Sequence, residues 1–288
     1  YTTTDTLSLH DALPICPFKY RLRYIDGQRT LPSDDPADPL ILGHALHTGI
    51  EEGVEAGVNE YLMAYPVITD AHITEQIKLE WWIPRVRAAI PAGEKEMMLA
   101  DSDFIGFIDL IAPVTGFHES DVPGMYDLFD YKYTANSGSR YAESEQLHLY
   151  KYWFEKLNPG KRIRNLTYII VPKVNIKPRN GENVQDYRRR IESELSKKEL
   201  KFLPVEYDPG KVIGFYSGVK RVLEAHDYPK QESFLCNFCE FYDYCQKGND
   251  YMILPSITRR DLNAVTKRVI WLYGDCVQIT PGNARKNH

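Results

Sequence analysis

Long hydrophobic runs are missing from this 288-residue chain. No stretch approaches the roughly 18 uninterrupted apolar residues of a membrane-spanning helix, and the first residues lack a basic region followed by a long apolar one. Internal repeats and low-complexity segments are missing too, while hydrophobic residues make up an ordinary 43%. These absences argue against a membrane protein or a repeat array. They predict a soluble globular protein with no membrane partner, located in the cytoplasm.

Positive charge is not in excess, because the formal net charge is -5. A nucleic-acid-binding surface usually carries a basic footprint, so this balance counts mildly against such a partner. Basic residues are nevertheless concentrated in three runs, at 19–23, 161–164 and 188–190. Each run can contribute to a phosphate-binding groove or can be a solvated surface, which is the commoner case.

Cysteine is scarce, with five residues in the whole chain. In a cytosolic protein, five cysteines indicate metal ligands or free thiols better than a disulfide framework. Cys236, Cys239 and Cys245 are spaced C-x₂-C-x₅-C among aromatic residues, so their thiolates can converge on one soft metal centre. Three ligands leave a fourth missing. Cys276 lies outside this pattern and is interpreted as a plain thiol.

The hydrophobic periodicity predicts an α/β protein. Three consecutive strands form the expected sheet core, and a β-branched and aromatic run supplies a further buried strand. Residues 26–40 contain several prolines among acidic residues and are predicted to be a surface loop. Helices are predicted at 42–62, 74–90, 144–157, 183–200 and 209–225, and strands at 94–100, 104–112, 125–133 and 166–171.

Charged residues interrupt two of the predicted strands. Asp109 follows Gly106 with spacing Gly-x-x-Asp, and Asp130 and Lys132 lie two apart on the next strand. Residues two apart share a face of a strand, so this carboxylate and this ammonium point to one side. The two aspartates can hold Mg²⁺ or Mn²⁺ through oxygen ligands, with Lys132 orienting or helping to deprotonate an attacking water. For an isolated Asp-x-Lys, a salt bridge at a sheet edge is the commoner explanation.

Two predicted helices carry further polar residues. Gly43 and His47 lie four apart on one face, where the small glycine is expected to permit close packing and the histidine can reach a site. Gln146 and Tyr150 have the same spacing and can hydrogen-bond a phosphate or a base without adding charge. Neither pair carries weight alone, so their order along the chain matters more.

In that order, Gly-x-x-x-His, Gly-x-x-Asp, Asp-x-Lys and Gln-x-x-x-Tyr resemble the motif series of RecB-like nucleases. These form a branch of the PD-(D/E)XK superfamily that includes CRISPR-associated RecB-type exonucleases and the AddB nuclease domain. The resemblance covers about residues 16–248. It implies a restriction-endonuclease-like α/β core, with a central mixed β-sheet flanked by helices and a C-terminal cysteine segment. Residues 1–15 and the tail at 249–288 fall outside this domain.

The resemblance also implies an activity. It implies a Mg²⁺- or Mn²⁺-dependent deoxyribonuclease, expected to act as an exonuclease on single-stranded DNA ends in recombination, repair, replication or CRISPR adaptation. A helicase or recombination partner is compatible with such a role, and a catalytically inactive DNA-binding module of the same fold is the alternative. The implied metal ligands are His47, Asp109, Asp130 and the carbonyl of Tyr131, the implied catalytic residues are Asp109, Asp130 and Lys132, and the implied substrate-binding residues are Gln146 and Tyr150. Glu96 falls on the strand where the family often carries an acidic residue.

The same resemblance supplies the missing cysteine. Cys16 precedes a Pro-x-Lys-Tyr segment, as does the first cluster cysteine of the family, far upstream of the other three. The resemblance therefore implies a 4Fe-4S clasp, while Zn²⁺ is the alternative centre for four cysteines. The implied ligands are Cys16, Cys236, Cys239 and Cys245.

Overall fold

The computed structural model describes residues 16–28, 30, 33–101, 104–114, 124–135, 138–232, 236 and 239–247. Two compact units are present: the first spans Pro32–Asp227, and the second joins Cys16–Leu31 to the chain from Tyr228 onward. The segments at 1–15 and 249–288, and Cys276 with them, lie outside the described residues. Over the described part of the chain, no helix has the length and apolarity needed to cross a membrane.

A five-stranded mixed sheet forms the centre of the first unit, in the spatial order β1-β2-β3-β4-β5. Strands β1, β2 and β3 are antiparallel neighbours, β4 is parallel to β3, and β5 is antiparallel to β4. Asp130 on β3 is fully buried, so a solvent-exposed salt bridge at a sheet edge does not explain the charged pair on this strand. The strands are β1 Glu94–Ala100, β2 Ile105–Pro113, β3 Met125–Thr134, β4 Arg162–Pro172 and β5 Lys201–Val205.

Helices cover both faces of this sheet, so the predicted α/β fold is confirmed. One hydrophobic core packs α2, α3, α4 and α6 against the sheet, and a second packs α5 and α7 against the other face. A 3₁₀ helix, Ser139–Glu143, precedes α5. The α-helices of the described residues are α1 Pro17–Tyr20, α2 Pro39–Glu52, α3 Val54–Met63, α4 Asp70–Ala89, α5 Gln146–Leu157, α6 Val184–Leu195, α7 Pro209–Leu223 and α8 Tyr242–Lys247.

Two parts of the predicted secondary structure are wrong. The single helix predicted at 42–62 is two helices, because Gly53 adopts φ 126° and ψ 169°, a conformation that only glycine adopts readily. The helix predicted at 183–200 ends at Leu195, and the sequence analysis missed β5 after it. Strand β5 pairs only with β4 and contains Pro204, so it carries little of the hydrophobic alternation by which strands are recognised.

The close approach expected at Gly43 is also wrong. A Cβ at Gly43 would meet nothing within 4 Å, whereas one at Gly49 would overlap Ile83 of α4. A Cβ at Gly57 would overlap the backbone of α2 in the same way. Gly49 and Gly57 are therefore the residues that let α2, α3 and α4 pack closely around the segment that carries His47.

The second unit joins residues from the two ends of the described chain. It contains α1, a π-helix at Arg21–Ile25 and α8. Glu240 accepts a 2.5 Å hydrogen bond from Arg23 Nη1 and lies 3.9 Å from Lys19 Nζ. The rings of Phe18 and Tyr244 stack at 6.4 Å between centroids. Ion pairs and aromatic contacts thus join segments that lie more than 200 residues apart in the sequence.

Candidate active site

The candidate site lies where β2 and β3 separate. The two strands pair only from Leu110 with Phe129 to Pro113 with Tyr126, although both strands continue past Leu110 and Phe129. Beyond that point, the Asp109 carboxylate accepts a 2.7 Å hydrogen bond from the Tyr131 amide through Oδ2. A side chain therefore satisfies a buried backbone donor that a strand ladder would otherwise satisfy. The separation leaves room for side chains between the two strands.

Helix α2 brings His47 to this point. His47 Nε2 lies 3.2 Å from the carbonyl oxygen of Tyr131, and Nδ1 lies 3.5 Å from Asp109 Oδ1. The structure therefore brings together three of the residues predicted as metal ligands. The hydrogen bond to the carbonyl assigns the ring proton to Nε2, so the lone pair of Nδ1 faces the carboxylate.

Glu96 completes this group from β1. The β1 and β2 register pairs Lys95 with Leu110 and Met97 with Ile108, so Glu96 falls opposite Asp109. Glu96 has φ 49°, the one positive value among the described non-glycine residues, and such strain persists where surrounding structure enforces it. Its Oε1 lies 3.8 Å from His47 Nδ1. One ligand atom from each of Glu96, His47 and Asp109 lies within 4.8 Å of the other two.

Burial sets the protonation of these three groups. Burial lowers the pKa of His47, although the carboxylates of Asp130 and Glu96 oppose the shift, so the imidazole is neutral near pH 7. Burial, then Asp109, raises the pKa of Glu96 to about 7. Burial and then Asp130 raise the pKa of Asp109 well above its usual value. Two carboxyl groups and an imidazole lone pair thus face one another, an arrangement that a divalent ion would stabilise.

Asp130 and Lys132 lie beside this group on β3. Lys132 Nζ is 2.6 Å from Asp130 Oδ2, an ion-pair distance, but the contact lacks hydrogen-bond alignment. Both carboxylate oxygens of Asp130 are buried and accept no hydrogen bond from the described residues. Burial lowers the pKa of Lys132, but Asp130 and Asp109 together outweigh it, so the net shift is upward and Lys132 stays charged. Oδ1 of Asp130, which takes no part in the ion pair with Lys132, leaves lone pairs for a cation or a water.

Helix α5 closes the other side of the site. Gln146 Nε2 donates a 3.1 Å hydrogen bond to Tyr150 Oη, and both side chains are buried. Burial, followed by the charges of Asp130 and Asp109, raises the pKa of Tyr150 well above its usual value. A Cβ at Gly106 would lie 3.1 Å from the Tyr150 ring, so this glycine allows α5 to approach β2. Buried as they are, Gln146 and Tyr150 present little surface to a substrate.

The donor set fits a hard divalent cation. Carboxylate oxygens, a backbone carbonyl and one imidazole nitrogen are ligands that Mg²⁺ and Mn²⁺ accept. Glu96 belongs to the converging group, although it was not among the predicted ligands. The carboxylate of Asp130, which was among them, lies outside that group of three. The only signal for Glu96 in the sequence is an acidic residue on the strand before Asp109.

Ion pairs neutralise much of the basic character of the three basic runs. In the run at 188–190, each arginine has an acidic partner: Glu80 and Glu192 for the first, Asp186 for the second and Glu182 for the third. Arg164 forms a bidentate pair with Asp127, and Arg23 pairs with Glu240. The structure therefore gives no support to these runs as a ready phosphate groove.

The four predicted cluster cysteines all lie in the second unit. Each is partly buried and lies outside any disulfide bond between described residues. Burial raises the pKa of the Cys239 thiol, while a backbone hydrogen bond from Phe241 opposes the shift. Among the described residues, however, no three of the cysteines bring their sulfur atoms within 4.8 Å of one another. The residue types fit an iron–sulfur or zinc centre, but their positions are not those of an assembled cluster.

Comparison with known proteins identifies the family. A family model described as the PD-(D/E)XK nuclease superfamily matches residues 8–246, most of the chain. The chain belongs to the PD-(D/E)XK nuclease superfamily. Among solved structures, it is similar to the crystal structure of a protein from Eubacterium rectale named as a candidate exonuclease. The two share 14% identity with a TM-score of 0.54, over 90% of this chain and 93% of that chain. No curated protein matches.

Membership of the PD-(D/E)XK superfamily assigns the chain as a nuclease, a hydrolase that acts on nucleic acid. Such nucleases generally use divalent metals, and the group of Glu96, His47 and Asp109 is a candidate site for one. The five-stranded mixed sheet with helices on both faces is consistent with the restriction-endonuclease-like fold. At 14% identity, the likeness to the Eubacterium rectale structure supports the fold alone.

Proposed function

We propose that this PD-(D/E)XK chain is a Mg²⁺- or Mn²⁺-dependent deoxyribonuclease of the RecB-like branch, acting as an exonuclease on single-stranded DNA ends. The observation that carries the proposal is the convergence of Glu96, His47 and Asp109 beside the Asp130 and Lys132 pair. Recombination, repair, replication and CRISPR adaptation are the processes that such an activity would serve, with a helicase or recombination protein as partner. The proposed nuclease domain spans residues 16–248.

The proposed division of labour follows from position and charge. His47, Asp109, Asp130 and the Tyr131 carbonyl, joined by Glu96, would hold the cation, which polarises a phosphate oxygen and lowers the pKa of a bound water. Lys132 keeps its charge and lies at the edge of the group, where it can orient that water and stabilise charge on the phosphate. Cleavage would then break the P–O bond to one sugar oxygen as the water oxygen bonds to phosphorus.

The role that we propose for Gln146 and Tyr150 is to support the site rather than to contact phosphate directly. Their mutual hydrogen bond is buried, and Gly106 lets the Tyr150 ring approach β2 closely. We place them as residues that hold the β2 and β3 side of the site in position against α5. Substrate contact through them would require the α5 side of the site to open.

The decisive experiment is a cleavage assay on end-labelled single- and double-stranded DNA with Mg²⁺, Mn²⁺ or EDTA. Asp109→Asn should abolish cleavage, because it removes a ligand charge while keeping the hydrogen bond from the Tyr131 amide. Asp127→Asn is the matched control, since Asp127 pairs with Arg164 at the surface of the same sheet and should leave cleavage unchanged. Equal cleavage by both variants would exclude this site.

The same assay addresses the alternative, a catalytically inactive DNA-binding module of this fold. Such a module would retain DNA in a filter-binding assay without degrading it, whichever metal is present. Laddered products shortened from one labelled end would indicate an exonuclease and its polarity. Internal fragments from a circular single strand, which has no ends, would contradict the exonuclease assignment but not the nuclease.

A metal-clasped second unit is a further part of the proposal. Cys16, Cys236, Cys239 and Cys245 would hold a 4Fe-4S cluster, with Zn²⁺ as the alternative. The location of these cysteines in one unit, although more than 200 residues separate Cys16 from the other three, supports this proposal.

A further inference from the structure

The C-terminal end of α2, one turn beyond His47, is held by two basic side chains. Arg87 Nη1, from the last turn of α4, is directed at the carbonyl oxygens of Gly49, Ile50 and Glu51 at 3.3, 2.8 and 3.0 Å. Lys95 Nζ, from β1, donates to the carbonyl of Ile50 at 3.1 Å. The last carbonyls of a helix lack partners within the helix and lie at its negative end, so cations stabilise them.

These two contacts join α4 and β1 to the end of α2, close to the group of Glu96, His47 and Asp109. Lys95 immediately precedes Glu96, whose positive φ turns its carboxylate toward His47. Ile50 lies three residues after His47, on the next turn of the same helix. One lysine thus ties the strand that carries one prospective ligand to the helix that carries another. Arg87 ties the same helix end to α4.

The sequence around α2 explains why its last carbonyl groups need partners from other elements. Helix α2 ends at Glu52, and Gly53 with its positive φ breaks the chain direction before α3 begins. The hydrogen bond from the Gly53 amide satisfies the carbonyl of Gly49, but no backbone continuation of the helix holds Ile50 and Glu51. Without cationic partners, the last turn is free to fray, and the His47 ring with it.

We propose that Arg87 and Lys95 are positioning residues of the metal centre: by clamping the last carbonyls of α2, they set the separation between His47 and Glu96. This inference rests on the proposed function, since it assumes that those two side chains share a cation. Neither clamp residue touches the metal. Their effect is on the geometry that the site offers to an ion.

If Arg87 and Lys95 position the metal ligands, replacing them should change the relative affinities for different metal ions, which a purely stabilising role would not do. Mg²⁺ demands near-ideal octahedral geometry at short distances, whereas Ca²⁺ accepts varied geometry at longer ones. Loosening the separation between His47 and Glu96 should therefore weaken Mg²⁺ and Mn²⁺ more than Ca²⁺. A variant that only lowers folding stability would leave the ratio of these affinities unchanged.

The test is calorimetric titration of the full-length protein with Mn²⁺, Mg²⁺ and Ca²⁺, together with urea unfolding in EDTA. Lys95→Met and Arg87→Met should each weaken Mn²⁺ binding by about tenfold, the lower end for residues that orient metal ligands, and Ca²⁺ binding by less. Lys95→Arg should restore most of the affinity. Arg85→Met is the matched control, because Arg85 lies on the same helix but donates to Trp81 and stacks on its ring.

Each outcome bears on one claim. Folded methionine variants with wild-type affinities, or with equal losses for all three ions, would overturn the clamp and leave the proposed function intact. Absence of divalent-ion binding in the unaltered protein would overturn the proposed metal centre and the clamp together. If the methionine variants unfold, Arg87→Lys, which keeps a cation but loses the planar fork, decides by the same affinity ratio.

Discussion

Substituting Glu96 with glutamine should stabilise the metal-free protein at alkaline pH. Glu96 faces Asp109 across β1 and β2, and burial together with that carboxylate raises its pKa from 4.5 to about 7. Glutamine keeps the size and the positive-φ backbone problem of the residue but removes the charge. The substitution therefore isolates the cost of ionising Glu96 in a site without its cation.

The magnitude and the sign follow from linkage. A rise in pKa from 4.5 to about 7 corresponds to roughly 3 kcal/mol, at about 1.4 kcal/mol per unit. About a third of the Glu96 side chain is exposed, so solvent screening reduces this to about 2 kcal/mol. The unfolded chain ionises first, because the folded pKa is the higher one. Glu96 therefore costs nothing below about pH 4.5, and its cost grows until about pH 7.

Urea unfolding in EDTA, followed by tryptophan fluorescence, measures this difference. We expect Glu96→Gln and the wild type to be about equally stable near pH 5, and the variant to be about 2 kcal/mol more stable near pH 8. Glu94→Gln, on the same strand and exposed, should show no such change with pH. Saturating Mn²⁺ should reverse the order, because it binds the folded wild type more tightly. A Glu96→Gln variant no more stable than wild type near pH 8 would refute the reasoning.

Three further substitutions test the proposed catalytic lysine, the proposed cysteine centre and the break between α2 and α3. Lys132→Met should lower cleavage by about 100-fold or more while Mn²⁺ titration shows binding retained; loss of both would make Lys132 structural. Cys16→Ala should remove iron and brown colour from anaerobically purified protein and lower its melting temperature more than Cys276→Ala does. Zinc without iron in elemental analysis would replace the cluster by a zinc centre. Gly53→Ala should destabilise the fold by about 1–3 kcal/mol because of its positive φ, whereas Gly43→Ala, which has open space, should be neutral or stabilising. Equal effects on unfolding would contradict the assignment of Gly53 as the helix break.

The strands that carry the chemistry could be predicted well from the sequence. The predicted bounds of β1 are those of the structure, and those of β2 and β3 differ by at most one residue at either end. Alternating burial and flanking turns mark these strands locally. Strand β5 and the break at Gly53 could not be predicted in this way, because one depends on pairing with β4 and the other on a single backbone conformation.

The conformation of Glu96 shows what could not be predicted from the sequence at the site itself. An acidic residue on a strand is visible in the sequence, but alternation alone does not say that it turns toward His47. That turn requires a positive φ, which glutamate adopts only when its surroundings enforce it. The positions of the cysteine sulfur atoms have the same character, since spacing permits a cluster without fixing its geometry.

The ordered motif series is specific because each motif lies on a different element. His47 comes from α2, Asp109 from β2, Asp130 with Lys132 from β3, and Tyr150 from α5. Only the sheet register and the two packed cores bring these elements together, so no local signal can create the site by chance. The arrangement has a cost, because β2 and β3 lose their pairing beyond Leu110 and Phe129 and the pKa of the buried Asp109 carboxyl is raised well above its usual value. A fold selected for stability alone would replace these groups by apolar ones, so their retention favours a cation that they are placed to bind.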